Sequence, residues 1–172
     1  MPDIYDLETP RLLLRQFRES DWEAYALMSA DQEVMRYIGT GITLTRDESW
    51  RSIANFLGHW QLRGYGMYAI ASKESGEFVG RAGIHDPPGW PALELGWLLG
   101  REHWGKGYAT EAARAVLAHA FDALGRKRVS SFIRHGNERS VRVAERIGER
   151  LAGEVELLGS KALLYEIDRP PP

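Results

Sequence analysis

The stretch from Arg101 to Gly125 constrains the chain more than any other. From Ala109, apolar residues recur at Ala112, Ala113, Val116, Leu117, Ala120, Phe121 and Leu124, an unbroken stripe at helical spacing. Much of the stripe is alanine, so ligand or sheet can come close to the helix. Gly125 stands at the C-cap position, with Arg126 and Lys127 beside the negative end of the dipole. Upstream, Gly105-Lys106-Gly107 leads into an uncapped first turn. A strand feeding a glycine-rich turn and a bare helix N-terminus is a cradle for an anion. Its glycines admit positive φ and close approach, its N–H groups converge, and the dipole adds positive potential. The expected occupant is a pyrophosphate.

The flanking segments predict the setting of this cradle. Arg11 to Phe17 reads as a first strand, and Ser20 opens a short helix through Trp22, Tyr25, Ala26 and Met28. Thr45-Arg46-Asp47-Glu48 is a capping box for a helix that runs to Gly64. Met67–Ser72 and Phe78–Ile84 form a hairpin. Ala92–Leu99 joins them as a third antiparallel neighbour after the loop Asp86-Pro87-Pro88-Gly89-Trp90-Pro91. Val129–Arg134 is a strand, Asn137 caps a helix ended by Gly148, and Glu154–Leu158 with Ala162–Asp168 make a closing hairpin. This order predicts an α+β fold with a mixed, mostly antiparallel central sheet flanked by helices, unlike the strict βαβ alternation of a doubly wound sheet. With no repeat or long linker, one domain is expected over residues 8–168, with short tails at 1–7 and 169–172.

Composition narrows the chemistry. The 172 residues contain no cysteine, which excludes disulfides, thiolate metal sites and a thiol nucleophile. His59, His85, His103, His119 and His135 are scattered without ligand spacing, so no metal is expected. A net charge of −2 gives no global field for nucleic acid or an anionic membrane, although the cations comprise 18 Arg and 4 Lys. No stretch approaches the roughly 20 apolar residues of a membrane span. The opening MPDIYDLETPRLLLRQ does not read as a signal peptide, so a soluble cytoplasmic protein is expected.

Three nucleotide motifs overlap the cradle. Gly100, Gly105 and Lys106 match most of a P-loop, but Gly107 stands where the Mg²⁺-binding Ser or Thr belongs. Gly105-x-Gly107-x-x-Thr110 half-matches the dinucleotide fingerprint without its βαβ context. The third fits better. Trp104 to Ala113 resembles the acetyl-CoA signature of the GNAT superfamily of N-acetyltransferases, Gln/Arg-x-x-Gly-x-Gly/Ala. Gly107 and Ala109 match, while Trp104 replaces the first position, as in the Rim-type branch that modifies ribosomal-protein N-termini. ETPRLLLRQF and Asn137-x-x-Ser140 followed by AERIGERLAGE resemble the same branch, so the likeness spans most of residues 8–168.

The resemblance implies direct attack of an amine on acetyl-CoA, with no protein nucleophile. Three roles then need residues: a base, donors for the oxyanion, and an acid for the departing thiolate. It puts the base at Glu94, on the strand before the cradle; a solvated strand carboxylate is the alternative. N–H groups near Leu98 and Leu99, splayed by a bulge, would hold the carbonyl oxygen. The cofactor loop would comprise Trp104, Gly105, Lys106, Gly107, Tyr108, Ala109 and Thr110. Asn137 and Ser140 would lie along pantetheine, Asn137 doubling as an N-cap. Ser140 is the family-matched candidate for the acid; many relatives use a Tyr beyond the second motif, but none lies here between Tyr108 and Tyr165, so a water or another group is the alternative.

Tyr37, His85 and Trp90 are candidate acceptor contacts, Trp90 because flanking prolines keep it out of a strand. The aromatics Trp22, Tyr25, Trp50 and Trp60 read more simply as core. Arg139, Arg142 and Arg146 read as a solvated face, with Arg139 near phosphates. The acceptor would be a protein N-terminus or a small-molecule amine, and the protein a monomer or homodimer. Alternatives are a non-catalytic acyl-CoA-binding module of the same fold and a P-loop-like nucleotide enzyme.

Overall fold

A computed structural model describes residues 6–171. The elements are β1 (Leu7–Glu8), β2 (Leu12–Arg15), α1 (Trp22–Ala30), α2 (Gln32–Met35), α3 (Arg46–Arg63), β3 (Met67–Ser72), β4 (Phe78–His85), β5 (Glu94–Leu99), α4 (Tyr108–Asp122), β6 (Arg128–Arg134), α5 (Glu138–Ile147), β7 (Arg150–Leu157) and β8 (Ser160–Asp168). The strands form one sheet in the order β1-β2-β3-β4-β5-β6-β8-β7. Every neighbouring pair is antiparallel except β5–β6. The architecture is the expected α+β fold, a mixed sheet flanked by helices.

The alanine stripe explains how the layers meet. Ala112, Ala113, Val116 and Ala120 are fully buried, and α4 lies against Leu12, Ile70, Ile84 and Leu95 of the sheet. Small side chains let the helix sit close. On the other face Phe17, Tyr25, Phe56, Met67 and Ala69 join α1 and α3 to the sheet in a second apolar cluster. Gly125 takes φ +62°, and the N–H of Arg126 closes onto the carbonyl of Ala120.

Several boundaries differ from the sequence reading, and two of them have a clear physical reason. Ser20 does not open α1; it lies in a 3₁₀ turn, Glu19–Asp21. Asp21 instead binds the buried Arg15 through both carboxylate oxygens, at 2.7 and 2.8 Å, and accepts the Arg18 N–H at 2.8 Å. A charge-assisted pair of this kind outweighs a local serine cap. β7 begins at Arg150 rather than Glu154, with a register shift between Leu151 and Gly153. It is an exposed edge strand, so no buried alternation marks its start.

The sheet parts between β5 and β6. The two strands share one register pair, Glu94 with Ser130, while β6 pairs with β8 along the whole of β6. The Ser130 N–H donates to the Leu93 carbonyl at 3.0 Å and the Ser131 hydroxyl donates to the Leu95 carbonyl at 2.8 Å. Beyond that point the strands diverge. The bulge expected in β5 is absent: its register against β4 runs unbroken from His85–Glu94 to Gly80–Leu99. The opening comes from loss of the parallel ladder.

Candidate active site

Two cavities occupy the gap. The larger, about 610 Å³, lies between the N-termini of α4 and α5; the smaller, about 240 Å³, lies across β5 beneath the loop that carries Trp90. They share Tyr37, Ile38, Trp97, Asn137 and Ser140, so a single passage links them.

The larger cavity contains the glycine turn. Gly105 and Gly107 adopt φ +74° and +80°, conformations that L side chains rarely take, and Gly107 caps α4 with no side-chain hydrogen bond. The first-turn N–H groups are therefore unspent. The Thr110 hydroxyl is buried without a partner. The Trp104 indole donates to the Leu99 carbonyl at 3.0 Å, and the Arg139 guanidinium covers its ring at 4.1 Å. Arg11 donates to the Lys106 carbonyl at 2.9 Å and pairs with Glu111 at 2.7 Å, fastening β2 to the turn.

Leu98, Leu99, Trp104, Gly105, Gly107, Tyr108, Ala109, Thr110, Asn137 and Ser140 all line this cavity. Lys106 does not; its place in the turn is carried by its backbone. Arg139, Arg142 and Arg146 are exposed, as a solvated face requires, and the same face lines the wall of this cavity with Arg36. The orphaned hydroxyl, the open helix end and this cationic wall fit a phosphate-bearing cofactor.

Backbone directions sharpen the oxyanion expectation. The carbonyls of Leu93 and Leu95 meet β6, that of Leu99 meets Trp104, and the Gly100 N–H donates to Val79 of the β4 side at 3.0 Å. Alternation along a strand then turns the Trp97 and Leu99 N–H groups into the gap and the Leu98 N–H toward β4. Leu98 thus contributes its side chain to the wall, not a free donor.

The smaller cavity holds Glu94, His85, Trp90 and Arg81. The Trp90 indole N–H donates to Glu94 at 2.6 Å. Burial pushes the Glu94 carboxyl up to about 7, against the opposing pulls of that hydrogen bond and the Arg81 charge. His85 stands opposite Glu94 on β4, stacked on His59 and edge-on to Trp90, with a buried Nδ1 that has no partner. Burial first, then His59 and Arg81, hold it down to about 4, so it is neutral. Asp86 is spent elsewhere: it accepts the Tyr65 hydroxyl at 2.9 Å and lies 3.3 Å from His59. Trp60 and Tyr25 are core, and Trp50 is half exposed, away from both cavities. At the passage the Trp97 indole donates to Ser140 Oγ at 3.3 Å, while Asn137 Oδ1 accepts the Ser140 N–H at 3.4 Å as the helix cap.

Two residues escaped the sequence reading. Arg81, in the otherwise apolar strand FVGRAGI, was signalled by a charge inside a buried strand. Glu149, just past the Gly148 cap, is only 2% exposed, and its Oε1 lies 2.9 Å from Ser131 Oγ. Burial holds its carboxyl up to about 8 against the opposing pull of the Ser131 hydrogen bond, with the Glu94 charge adding to the rise.

Residues 11–150 match the acetyltransferase (GNAT) domain family. The chain is 30% identical over 148 residues to the uncharacterized N-acetyltransferase YoaA of Bacillus subtilis, covering 86% of this chain and 84% of that protein. The crystal structure of an acetyltransferase from Agrobacterium tumefaciens superposes with a TM-score of 0.87 at 34% identity, covering 97% and 96% of the two chains. RimL, the ribosomal L7/L12 α-N-protein acetyltransferase in complex with coenzyme A, shares the fold at TM-score 0.79 and 20% identity over 95% and 98% of the chains. On these matches the chain belongs to the GNAT family of N-acetyltransferases.

Proposed function

We propose that the chain moves the acetyl group of acetyl-CoA onto a primary amine seated in the smaller cavity, and that residues 8–168 form one catalytic unit acting in the cytoplasm. The observation that supports this most is the passage at Trp97, Asn137 and Ser140. It joins an anion cradle to a carboxyl that titrates near neutrality. Bound acetyl-CoA would supply an activated acetyl thioester.

The chain's own residues divide the remaining work. The α4 N–H groups, Arg139, Arg142 and Arg146 hold phosphates, and Thr110 gains the partner it lacks. Asn137 and Ser140 line the path of the pantetheine arm. The Trp97 and Leu99 N–H groups face the gap as donors for negative charge on oxygen. Glu94 takes a proton from the acceptor ammonium; a base with a pKa near the working pH combines availability with strength. Because the Trp97 indole donates into Ser140 Oγ, the serine's own hydrogen is free to be given into the passage, as the acid role requires.

Calorimetric titration with acetyl-CoA, with ATP and Mg²⁺ as control, tests the cofactor. Saturable one-to-one binding of acetyl-CoA alone is expected; no heat with acetyl-CoA would overturn the reading. Free-thiol release over a broad amine panel tests turnover. Tight binding without thiol release on any amine would identify a non-catalytic acyl-CoA-binding module.

A further inference from the structure

Resting on that reading of the smaller cavity as the acceptor site, we infer that the acceptor is a small amine that carries a carboxylate, and that Arg81 reads the carboxylate. Two arginines line the cavity, and they differ in what they bind. Arg134 is spent on structure: its Nη2 donates to the carbonyl of Gly39 at 2.6 Å and to that of Leu157 at 3.1 Å. Arg81 has no such acceptors. Its Nε is buried without a partner, and its Nη1 meets only the Met67 sulfur at 3.6 Å. Nη2 has no hydrogen-bond partner among the described residues, and no Asp or Glu there forms a salt bridge with the guanidinium. Phe56 lies under its plane at 5.2 Å, so the edge that carries the donors is the part left to bind.

Arg81 is partly buried, and a guanidinium whose Nε is sealed from water with its donors unspent gains when an oxyanion meets it. Glu94 serves poorly in that role, since the same burial favours its neutral form. His85, beside it, is neutral and brings no competing cation. Gly96 and Met67 line the cavity with Arg81 and Glu94, and Met67 Cε stands so near Gly96 that a Cβ there would meet it at 3.2 Å, so a larger residue would crowd the floor. An α- or β-amino carboxylate therefore has a base for its amine at one end and a planar fork of donors at the other.

The walls favour a small molecule over a polypeptide. Arg134 ties Gly39 to Leu157 across one side, and Trp90 is pinned to Glu94 on another. At about 240 Å³ the space lies below the roughly 300–1,000 Å³ of pockets for drug-sized ligands.

The test compares kcat/KM for L-alanine, β-alanine and L-methionine, each against its amide and its decarboxylated amine. Those two partners bracket the basicity of the amino group, so amine pKa cannot mimic the effect. We expect the carboxylate to win by at least about tenfold, and the ratio to collapse toward one in Arg81→Gln. A ratio within one preparation is blind to partial misfolding. Equal rates across each trio, a ratio that survives in Arg81→Gln, or faster acetylation of an alanine-led hexapeptide would each overturn the inference.

A second measurement does not depend on turnover: calorimetric titration of the CoA-saturated protein with the same carboxylates and amides. Binding of the carboxylates to the wild type but not to Arg81→Gln supports the inference; equal affinity for acid and amide refutes it. Absence of thiol release with every amine would count against acetyl transfer alone, leaving this titration to judge Arg81.

Discussion

Two glutamates flank the seam between β5 and β6, and both carboxyls are held far above the ordinary range by the same cause, desolvation. What surrounds them differs. Glu94 opens onto a cavity and accepts the Trp90 N–H at 2.6 Å, a bond that favours its charged form. Glu149 is sealed, with Oε2 unpartnered and Oε1 against Ser131. A serine hydroxyl has one hydrogen. Ser131 Oγ reaches two acceptors, the Leu95 carbonyl at 2.8 Å and Glu149 Oε1 at 2.9 Å; a protonated Glu149 donates to Ser131 and leaves the serine hydrogen to Leu95, whereas a charged Glu149 draws that hydrogen away from Leu95. A raised carboxyl thus serves as a proton acceptor where a cavity reaches it and, where it is sealed and protonated, as a donor that braces β5 against β6. A raised pKa alone does not mark a catalytic group; access and partners decide.

The comparison breaks most visibly at Glu94. Glu94→Gln keeps shape and loses the base, so kcat is expected to fall by about 100- to 10,000-fold with acetyl-CoA affinity nearly unchanged. In the wild type, kcat/KM against pH is expected to rise through an acid limb with a midpoint near 7, where Glu94 gives up its proton. Glu94→Gln would flatten that limb. Retention of both rate and limb in the variant would return Glu94 to a solvated strand carboxylate and leave the seam without a base.

Glu149 carries the next effect, seen in stability rather than rate. Its pKa is about 8 in the fold and near 4.5 in the unfolded chain, so between these values the folded state binds more protons. The stability this group confers is fully present below about pH 4.5 and is lost as pH rises through 8. Glu149→Gln removes the titration while its amide N–H still donates to Ser131. Between pH 5 and 8 the wild-type Tm should therefore fall further than the variant's by at least about 3 °C, taking 2–4 °C per kcal/mol for a chain of this size. Parallel Tm profiles would mean that Glu149 is charged in the fold, and the brace would need another donor.

What was legible in the sequence was local. The capping box at Thr45, the glycine stops at Gly64 and Gly148 and the alanine stripe of α4 each encode an element through neighbours in the chain, and the structure places those elements accordingly. The cradle was legible because a strand, a turn and a helix follow one another directly, and Glu94 was singled out through the family resemblance that the cradle carries. Arg81 and Glu149 depend on partners distant in sequence: Glu149 meets Ser131 only after β6 and β7 are placed, and Arg81 matters only because nothing pairs with it. The Leu98 direction was missed for a related reason. Which N–H faces a gap depends on strand parity against two neighbours, and the sequence of one strand does not carry that.

The smallest effect is the most discriminating. Trp90→Phe keeps an aromatic edge against His85 but removes the N–H donated to Glu94. That bond stabilises the carboxylate, so its loss raises the Glu94 pKa further. Hydrogen bonds to charged groups are worth about 1.5–3 kcal/mol when nothing replaces them, and 1.36 kcal/mol is one pKa unit. Water entering the cavity would recover part of that, so the acid limb is expected to move upward by about half a unit to one unit. The plateau rate above the limb should change little, since the base is intact once deprotonated. If Glu94 were only a structural partner of Trp90, the variant would instead lose plateau rate or stability with the limb unmoved. A limb that shifts without loss of plateau would show that Trp90 tunes the base, setting the exposed member of the glutamate pair apart from the sealed one.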